Sequence, residues 1–141
     1  MGDVDQSRTI QSASNAFDIL EIVREQSGAT LTEATDELDL STSTVHDYLQ
    51  TLVSEGYLVK DGRRYFVSLQ LLGLGHHAKV TRTAWEQVGP ALREIGDETG
   101  EHVWFVVEEN GMGVYVDNYS GRRVITLLND PGSRHHLHCT A

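Results

Sequence analysis

The sequence is poor in cysteine and has no long apolar run. Cys139 is the single cysteine among 141 residues, so no disulfide can form within the chain, which is typical of a reducing cytoplasm. No apolar run approaches the roughly 20 residues that a membrane-spanning helix needs. The polar segment 1–8 lacks the apolar stretch of a signal peptide. These absences predict a soluble, cytoplasmic protein without a membrane segment.

Basic residues are also scarce. The chain has 11 lysines and arginines against 21 aspartates and glutamates, which gives a net charge of −10, and Lys60 and Lys79 are its only lysines. A protein that approaches polyanionic DNA usually carries charge of the opposite sign. Two explanations are open. The acidic surface is an adaptation to concentrated salt, of the kind that halophilic archaea use, or the fold binds a protein partner; we favour the first.

Residues 30–56 have the pattern of two short helices. Thr30 and Glu33 form a T-x-x-E capping box at the start of the first, and Ser41 is placed to cap the second. Gly56 supplies a stop for the second helix. Apolar residues recur at helical spacing along this second helix: Val45, Leu49 and Leu52.

A hairpin follows the two helices. The segments 57–60 and 64–67 flank Asp61-Gly62-Arg63, and Asp-Gly is a strong signal for a tight turn between strands. A further helix precedes position 28; it is capped by Ser12 or Ser14 and ends at Ser27-Gly28. Its predicted core residues are Ala16, Leu20 and Val23, assisted by Phe17 and Ile19. Together these elements predict a winged helix-turn-helix domain over residues 1–68.

The remaining sequence predicts an α+β second domain over residues 84–141, after a leucine-rich linker helix or hinge at 69–83. Residues 84–99 form an amphipathic helix, which Pro90 should kink or restart. Its predicted apolar face consists of Trp85, Val88, Leu92 and Ile95. Three strands of a meander then follow, at 102–107, 114–119 and 123–128, with a turn at Asn110-Gly111.

Four short segments carry a resemblance to a known family: 43–46 (STVH), 52–58 (LVSEGYL), 98–101 (ETGE) and 137–141 (LHCTA). Their order and spacing resemble those of the isocitrate lyase regulator, or IclR-type, transcription factors. The resemblance implies a winged-helix DNA-binding domain, a linker helix that mediates dimerisation, and a GAF-like domain that binds a small effector. Such proteins act as homodimers or tetramers. The family's effector domain continues beyond the position of Ala141, so we expect this sequence to be part of a longer protein.

Candidate DNA contacts follow from the helix-turn-helix geometry, in which the N-terminal part of the second helix enters the major groove. The exposed face of this helix, together with the basic tip of the wing, gives the predicted contacts with double-stranded DNA: Thr42, Ser43, Thr44, His46, Asp47, Gln50, Lys60, Arg63 and Arg64. Family members often carry a basic residue at the position of Thr42 and arginine at that of Asp47. Asp47 could accept a hydrogen bond from a cytosine amino group, or it could be a plain surface acid.

The leading hypothesis is therefore a DNA-binding transcription regulator whose affinity for an operator is modulated by a small-molecule effector. Trp104, Phe105 and Tyr115 are candidates for the effector pocket, with packing in the sheet core as the alternative. A second hypothesis is a protein-interaction winged helix in the transcription machinery. A third, a metal-dependent enzyme, depends on His135, His136, His138 and Cys139, which lack the paired spacing of a zinc site. We expect no enzyme activity, no cofactor and no metal.

Overall fold

The structure is a computed structural model that describes residues 9–82, 84–122 and 130–136. The chain divides into two compact units, with the division between Gly73 and Leu74. No helix in the described part is long and apolar enough to cross a bilayer. The elements in chain order are α1 (Gln11–Glu25), β1 (Ala29–Thr30), α2 (Leu31–Asp36), α3 (Thr42–Ser54), β2 (Leu58–Asp61), β3 (Arg64–Val67), α4 (Leu71–Arg82), α5 (Trp85–Thr99), β4 (His102–Glu109), β5 (Met112–Ser120) and β6 (Arg134–His136).

The first unit is a winged helix-turn-helix, as the sequence predicts. Three helices and a small antiparallel sheet, in the strand order β1-β3-β2, enclose one hydrophobic core. The core contains Val45, Leu49 and Leu52 of α3, as predicted. Side chains from α1, β1, α2, β2 and β3 complete it. Its buried members are Ile19, Val23, Ala29, Ala34, Val45, Leu49, Leu52, Leu58 and Tyr65.

Local capping signals explain where the helices of this unit begin and end. Thr30 and Glu33 form the predicted capping box, and the Ser41 hydroxyl accepts a hydrogen bond from the Thr44 amide at 3.2 Å. Gly56, with φ +81°, follows the end of α3. Gly28, with φ +110°, follows the end of α1, and a Cβ there would approach the Phe66 ring to 2.4 Å.

Two predictions for α1 are wrong. The helix begins at Gln11 with Ile10 as its N-cap, and no side chain caps it, so neither Ser12 nor Ser14 has the predicted role. Phe17 was expected to assist the core but is 65% exposed. The side chain of Ile19, which was predicted to assist the core together with Phe17, is fully buried. Only one face of α1 packs against the core of the first unit, and Phe17 lies on the other face.

Arg64 fixes the wing to the start of α2. Its guanidinium donates a hydrogen bond to the Gly28 carbonyl oxygen at 2.6 Å and lies 3.4 Å from the Glu33 carboxylate. Strand pairing reinforces this link, because Thr30 lies opposite Arg64 in the β1–β3 ladder. The Glu33 carboxylate also accepts a hydrogen bond from the Thr30 amide at 2.7 Å. Glu33 and Arg64 therefore join two segments that are distant in sequence, residues 28–33 and the wing strand β3.

The second unit packs α5 on a three-stranded antiparallel sheet in the order β4-β5-β6. A Cβ at Gly96 would approach the Tyr119 ring to 2.4 Å, so glycine allows this helix to lie close to β5. The Tyr119 hydroxyl donates to the Asp97 carboxylate at 2.9 Å, and this contact raises the pKa of Tyr119 above its ordinary value of 10.0. Lys79 of α4 forms an ion pair with Asp117 of the same sheet.

Predictions for the second unit are confirmed for α5 and for the first hairpin. Asn110 and Gly111 form the turn between β4 and β5, both with positive φ. Helix α5 runs through Pro90 without the predicted restart, and Ile95 was expected on the apolar face but is 47% exposed. The side chain of Trp85 and the predicted strand at 123–128 lie outside the described residues. Strand β6, which pairs with β5, was not predicted.

A pH-dependent contribution to stability follows from the Glu33 contacts. The hydrogen bonds from Thr30, and then the Arg64 guanidinium, hold the pKa of Glu33 below its ordinary value of 4.5. A carboxylate whose pKa is lower in the folded than in the unfolded state stabilises the fold at pH values above its unfolded-state pKa. This stabilisation is lost as the pH falls through the folded-state pKa. Glu33→Gln keeps an acceptor but removes the charge. We expect it to lower the Tm only slightly at neutral pH, because an exposed ion pair is weak, with the difference from wild type closing as the pH falls below 4.5.

Thermal unfolding of wild type and Glu33→Gln over a pH series measures this difference. Glu37→Gln, at the C-terminal end of the same helix, is the control and should not lower the Tm. A Tm difference that stays constant from neutral to acid pH would contradict the assigned ionic contribution.

Candidate nucleic-acid interface

Burial of one side of α3 leaves its other side facing solvent. Val45 and Leu49 have no exposed surface, so residues at intermediate positions must point away from the core. The predicted DNA contacts on this helix are therefore available. Thr42, Ser43, His46, Asp47 and Gln50 are exposed, and Thr44 is half-buried.

The start of α3 carries a cluster of three hydroxyl groups. The Ser41 hydroxyl lies 3.0 Å from that of Ser43 and 2.8 Å from that of Thr44. The first amides of a helix have no partner within the helix and carry a partial positive charge from the helix dipole. Neutral hydroxyls beside such amides suit a negatively charged phosphate oxygen, since they can donate hydrogen bonds and add no competing negative charge.

His46 and Asp47 lie one turn further along α3. The His46 ring nitrogen Nδ1 is 3.6 Å from the Asp47 carboxylate, and the side chains are 48% and 85% exposed. The pair is an ion pair when the imidazole is protonated. The negative charge of Asp47 is then partly balanced, which reduces the repulsion it exerts on an approaching phosphate.

The three predicted basic contacts of the wing differ in their surroundings. Arg64 is engaged by Gly28 and Glu33, so its main contacts are structural. Lys60 lies over the Tyr65 ring, with its Nζ 5.2 Å from the ring centroid. Arg63 is exposed at the turn. Neither Lys60 nor Arg63 forms an ion pair with another residue of the described part, so both charges can act on an external anion.

A cleft lies between α3 and the wing. Its volume is about 520 Å³, and His46 lines it from the helix while Lys60 and Arg63 line it from the wing. Gly62, Tyr65 and the start of α2 complete its walls. The structure thus brings His46 together with two of the three predicted wing residues around one concave surface.

Two residues have structural roles in this region that were not predicted from the sequence. Tyr65 is 2% exposed and lies at the cleft, where its hydroxyl accepts a hydrogen bond from Gln50 Nε2 at 3.2 Å. Glu33 was identified only as a capping residue, yet it also holds Arg64. The alternation of the wing strand could have indicated an inward Tyr65, but its contact with Gln50 depends on the tertiary fold.

The aromatic residues proposed for an effector pocket divide between the two faces of the second sheet. Trp104 and Tyr115 are in edge-to-face contact, with centroids 5.1 Å apart, and His102 and His135 extend this row at either end. Phe105 lies on the opposite face, where it is paired with Asp117 across the strands. The row thus contains two of the three predicted residues.

Two buried polar atoms near this aromatic row have no hydrogen-bond partner among the described residues: Nε2 of His102 and the hydroxyl of Ser133. The His102 ring is held at its other nitrogen, Nδ1, which lies 3.0 Å from the Ser120 hydroxyl. Among the described residues, no three histidine, cysteine or acidic side chains are grouped to hold a metal ion. His138 and Cys139, which belong to the third hypothesis, lie outside the described residues.

Comparisons with known proteins agree with this geometry. Residues 12–62 match the profile of the IclR helix-turn-helix domain. The chain is similar to the HTH-type transcriptional regulator BhcR of Paracoccus denitrificans, with 28% identity over 138 residues that cover 96% of this chain and 50% of BhcR. It is also similar to a probable HTH-type transcriptional regulator, ArcR, of Halobacterium salinarum, with 26% identity over 86% of this chain and 46% of ArcR.

The fold is shared with a solved structure. The crystal structure of IclR from Thermotoga maritima superposes with a TM-score of 0.73 at 24% identity, over 94% of this chain and 55% of that chain. The chain thus spans about half the length of the curated relatives it matches. Residues 12–62 thus match a helix-turn-helix domain of the IclR type, and over 94% of the chain the fold is similar to that of the Thermotoga maritima structure.

Proposed function

We propose that this chain is the DNA-binding and partial effector-binding portion of a cytoplasmic transcription regulator. The observation that carries the proposal is the exposed polar face of α3, which faces Lys60 and Arg63 of the wing across one cleft; neither cation forms an ion pair with a described residue. A protruding helix with a free polar face and a flanking basic hairpin fits a major groove and the phosphates beside it. The relatives named as transcriptional regulators support this function.

Each element of the proposed interface has a separate role. The start of α3, with Ser43 and Thr44, binds a backbone phosphate through hydroxyls and amides and fixes the register of the helix. His46, Asp47 and Gln50 face the base edges, where Gln50 suits adenine and Asp47 suits cytosine. Lys60 and Arg63 contact phosphates on the wing side.

The acidic composition fits DNA binding in concentrated salt. Each phosphate that a protein neutralises adds roughly one unit to the slope of log affinity against log salt concentration. A contact surface with few cations therefore loses less affinity as salt rises. We propose that the net charge of −10 is an adaptation to a salty cytoplasm and that operator binding has a shallow salt slope.

Arg63 provides the direct test of the wing contact. Arg63→Ala should reduce the salt slope of operator binding by about one unit, because one phosphate contact is lost. Asp47→Arg should do the reverse and raise affinity for non-operator DNA, since it replaces a repulsive charge. Fluorescence anisotropy with operator and scrambled duplexes over a potassium chloride series measures both effects.

The control for these variants is Arg24→Ala, which removes an exposed arginine of α1 that pairs with Glu21 at 2.7 Å. Its salt slope should equal that of wild type. An Arg63→Ala slope identical to wild type would contradict a phosphate contact at the wing. The absence of any operator preference by the wild type, at every salt concentration, would contradict the proposed function itself.

We propose that the regulator acts as a dimer through the leucines around the start of α4. Leu69, Leu72 and Leu74 are 81%, 68% and 59% exposed, an apolar surface that costs free energy in water unless a partner covers it. A second copy is the partner that fits operator binding, because two identical reading helices recognise two half-sites.

Leu72→Glu tests this dimer. The introduced charge should weaken self-association at least about tenfold and weaken operator binding with it, since desolvating an unpaired carboxylate at an interface is costly. Sedimentation velocity over a concentration series measures the association. Val59→Glu, which places the same charge at a half-exposed valine of the wing, should leave self-association unchanged. Retention of the dimer by Leu72→Glu would contradict this role.

We further propose that the row of His102, Trp104, Tyr115 and His135 is one wall of an effector site. Its aromatic edges supply apolar contact. Nε2 of His102, which has no hydrogen-bond partner within the described part of the chain, supplies a polar group that can orient a ligand. Screening the full-length protein against a panel of small metabolites by thermal shift should identify a compound that raises the Tm and alters operator affinity.

Two variants test whether this aromatic row binds the effector. His102→Phe should abolish the Tm increase, whereas Phe105→Leu, on the opposite face, should retain it. An effector whose stabilisation is unaffected by His102→Phe would contradict this wall.

A further inference from the structure

Tyr65 lies where the reading helix and the wing meet. It is among the largest fully buried side chains of the described residues and belongs to the core of the first unit. It also forms part of the wall of the cleft. Its hydroxyl accepts a hydrogen bond from Gln50 of α3 at 3.2 Å. Its ring lies beneath the Nζ of Lys60, the residue directly opposite on β2. One side chain therefore contacts a polar group from each half of the proposed interface.

The hydroxyl is not needed to fill the core. A phenylalanine at this position would bury the same ring and keep the contact with Lys60, because both depend on the ring alone. The phenolic oxygen has one contact in the described part of the chain, the Gln50 amide. Its effect must therefore be on the orientation of that amide.

A fixed Gln50 amide matters because glutamine reads adenine with both ends of its amide group. The oxygen accepts from the adenine amino group while one N–H donates to N7. The Tyr65 hydroxyl uses one of the two N–H groups of Gln50 and leaves the other N–H and the oxygen available. A free glutamine side chain loses rotamer freedom on binding DNA, and a side chain that is already ordered loses less.

We propose that the Tyr65 hydroxyl is a positioning group for base recognition: it orders the Gln50 amide on the exposed face of α3 and so determines specificity at one base pair. Tyr65 itself touches no DNA in this account. The proposal rests on the proposed DNA-binding function, and it adds a residue of the wing strand that acts through a residue of α3.

Tyr65→Phe separates positioning from packing. We expect operator affinity to fall about three- to tenfold, the effect of one ordered hydrogen bond, while affinity for scrambled DNA stays within about twofold. The Tm should change by only a few degrees because the ring is retained. Anisotropy titrations of the full-length protein with operator and scrambled duplexes, together with thermal unfolding, measure these three quantities.

A double-mutant cycle identifies Gln50 as the residue through which Tyr65 acts. Gln50→Ala should lower the ratio of operator to scrambled affinity, and adding Tyr65→Phe should lower it no further. Tyr48→Phe is the matched control. It removes a tyrosine hydroxyl that accepts from the Asn15 amide at 3.3 Å, a contact between α3 and α1, and it should leave the affinity ratio unchanged.

The outcomes distinguish this inference from the function on which it rests. A wild-type protein that prefers its operator, with the same preference in Tyr65→Phe, overturns the positioning role alone. Equal losses of affinity for both duplexes, or additive effects with Gln50→Ala, overturn it as well. A wild-type protein that shows no operator preference overturns both.

Discussion

The burial of the apolar face of α3 is the constraint on which the rest of the first unit depends. Val45, Leu49 and Leu52 pack into the core, so the rotation of this helix about its axis is fixed. A rotation by one residue would place a polar side chain in the core, and an unpaired buried polar group costs several kcal/mol in an apolar medium. The polar face of α3 is therefore exposed because its other face has to be buried.

The wing is held to the helices of the first unit by two contacts of different kinds. Arg64 joins β3 to the Gly28 carbonyl and to Glu33, so the turn end of the hairpin is fixed to the start of α2. Tyr65, the next residue, packs in the core and reaches Gln50. Successive side chains of a strand point to opposite faces, which allows one strand to make both contacts. The remaining wing cations, Lys60 and Arg63, are then left for an external partner.

Local and periodic features were predictable from the sequence, whereas contacts between distant segments were not. The caps at Thr30 and Ser41 and the hairpin turn at Gly62 depend on a few neighbouring residues. The core positions of α3 follow from helical spacing. In contrast, Arg64 reaches a carbonyl 36 positions away and Gln50 a hydroxyl 15 positions away, and no local pattern encodes either contact. The exposure of Phe17 depends likewise on which neighbours cover α1.

The central claim, that the polar face of α3 lies in a groove of DNA, can be tested by directed cleavage. An iron chelate would be coupled to Ser43→Cys, or to Asp18→Cys on the exposed face of α1, each in full-length protein carrying Cys139→Ser. We expect cuts at each operator half-site from position 43 and none from position 18. Cuts from position 18, or none from position 43 on a bound operator, would contradict it.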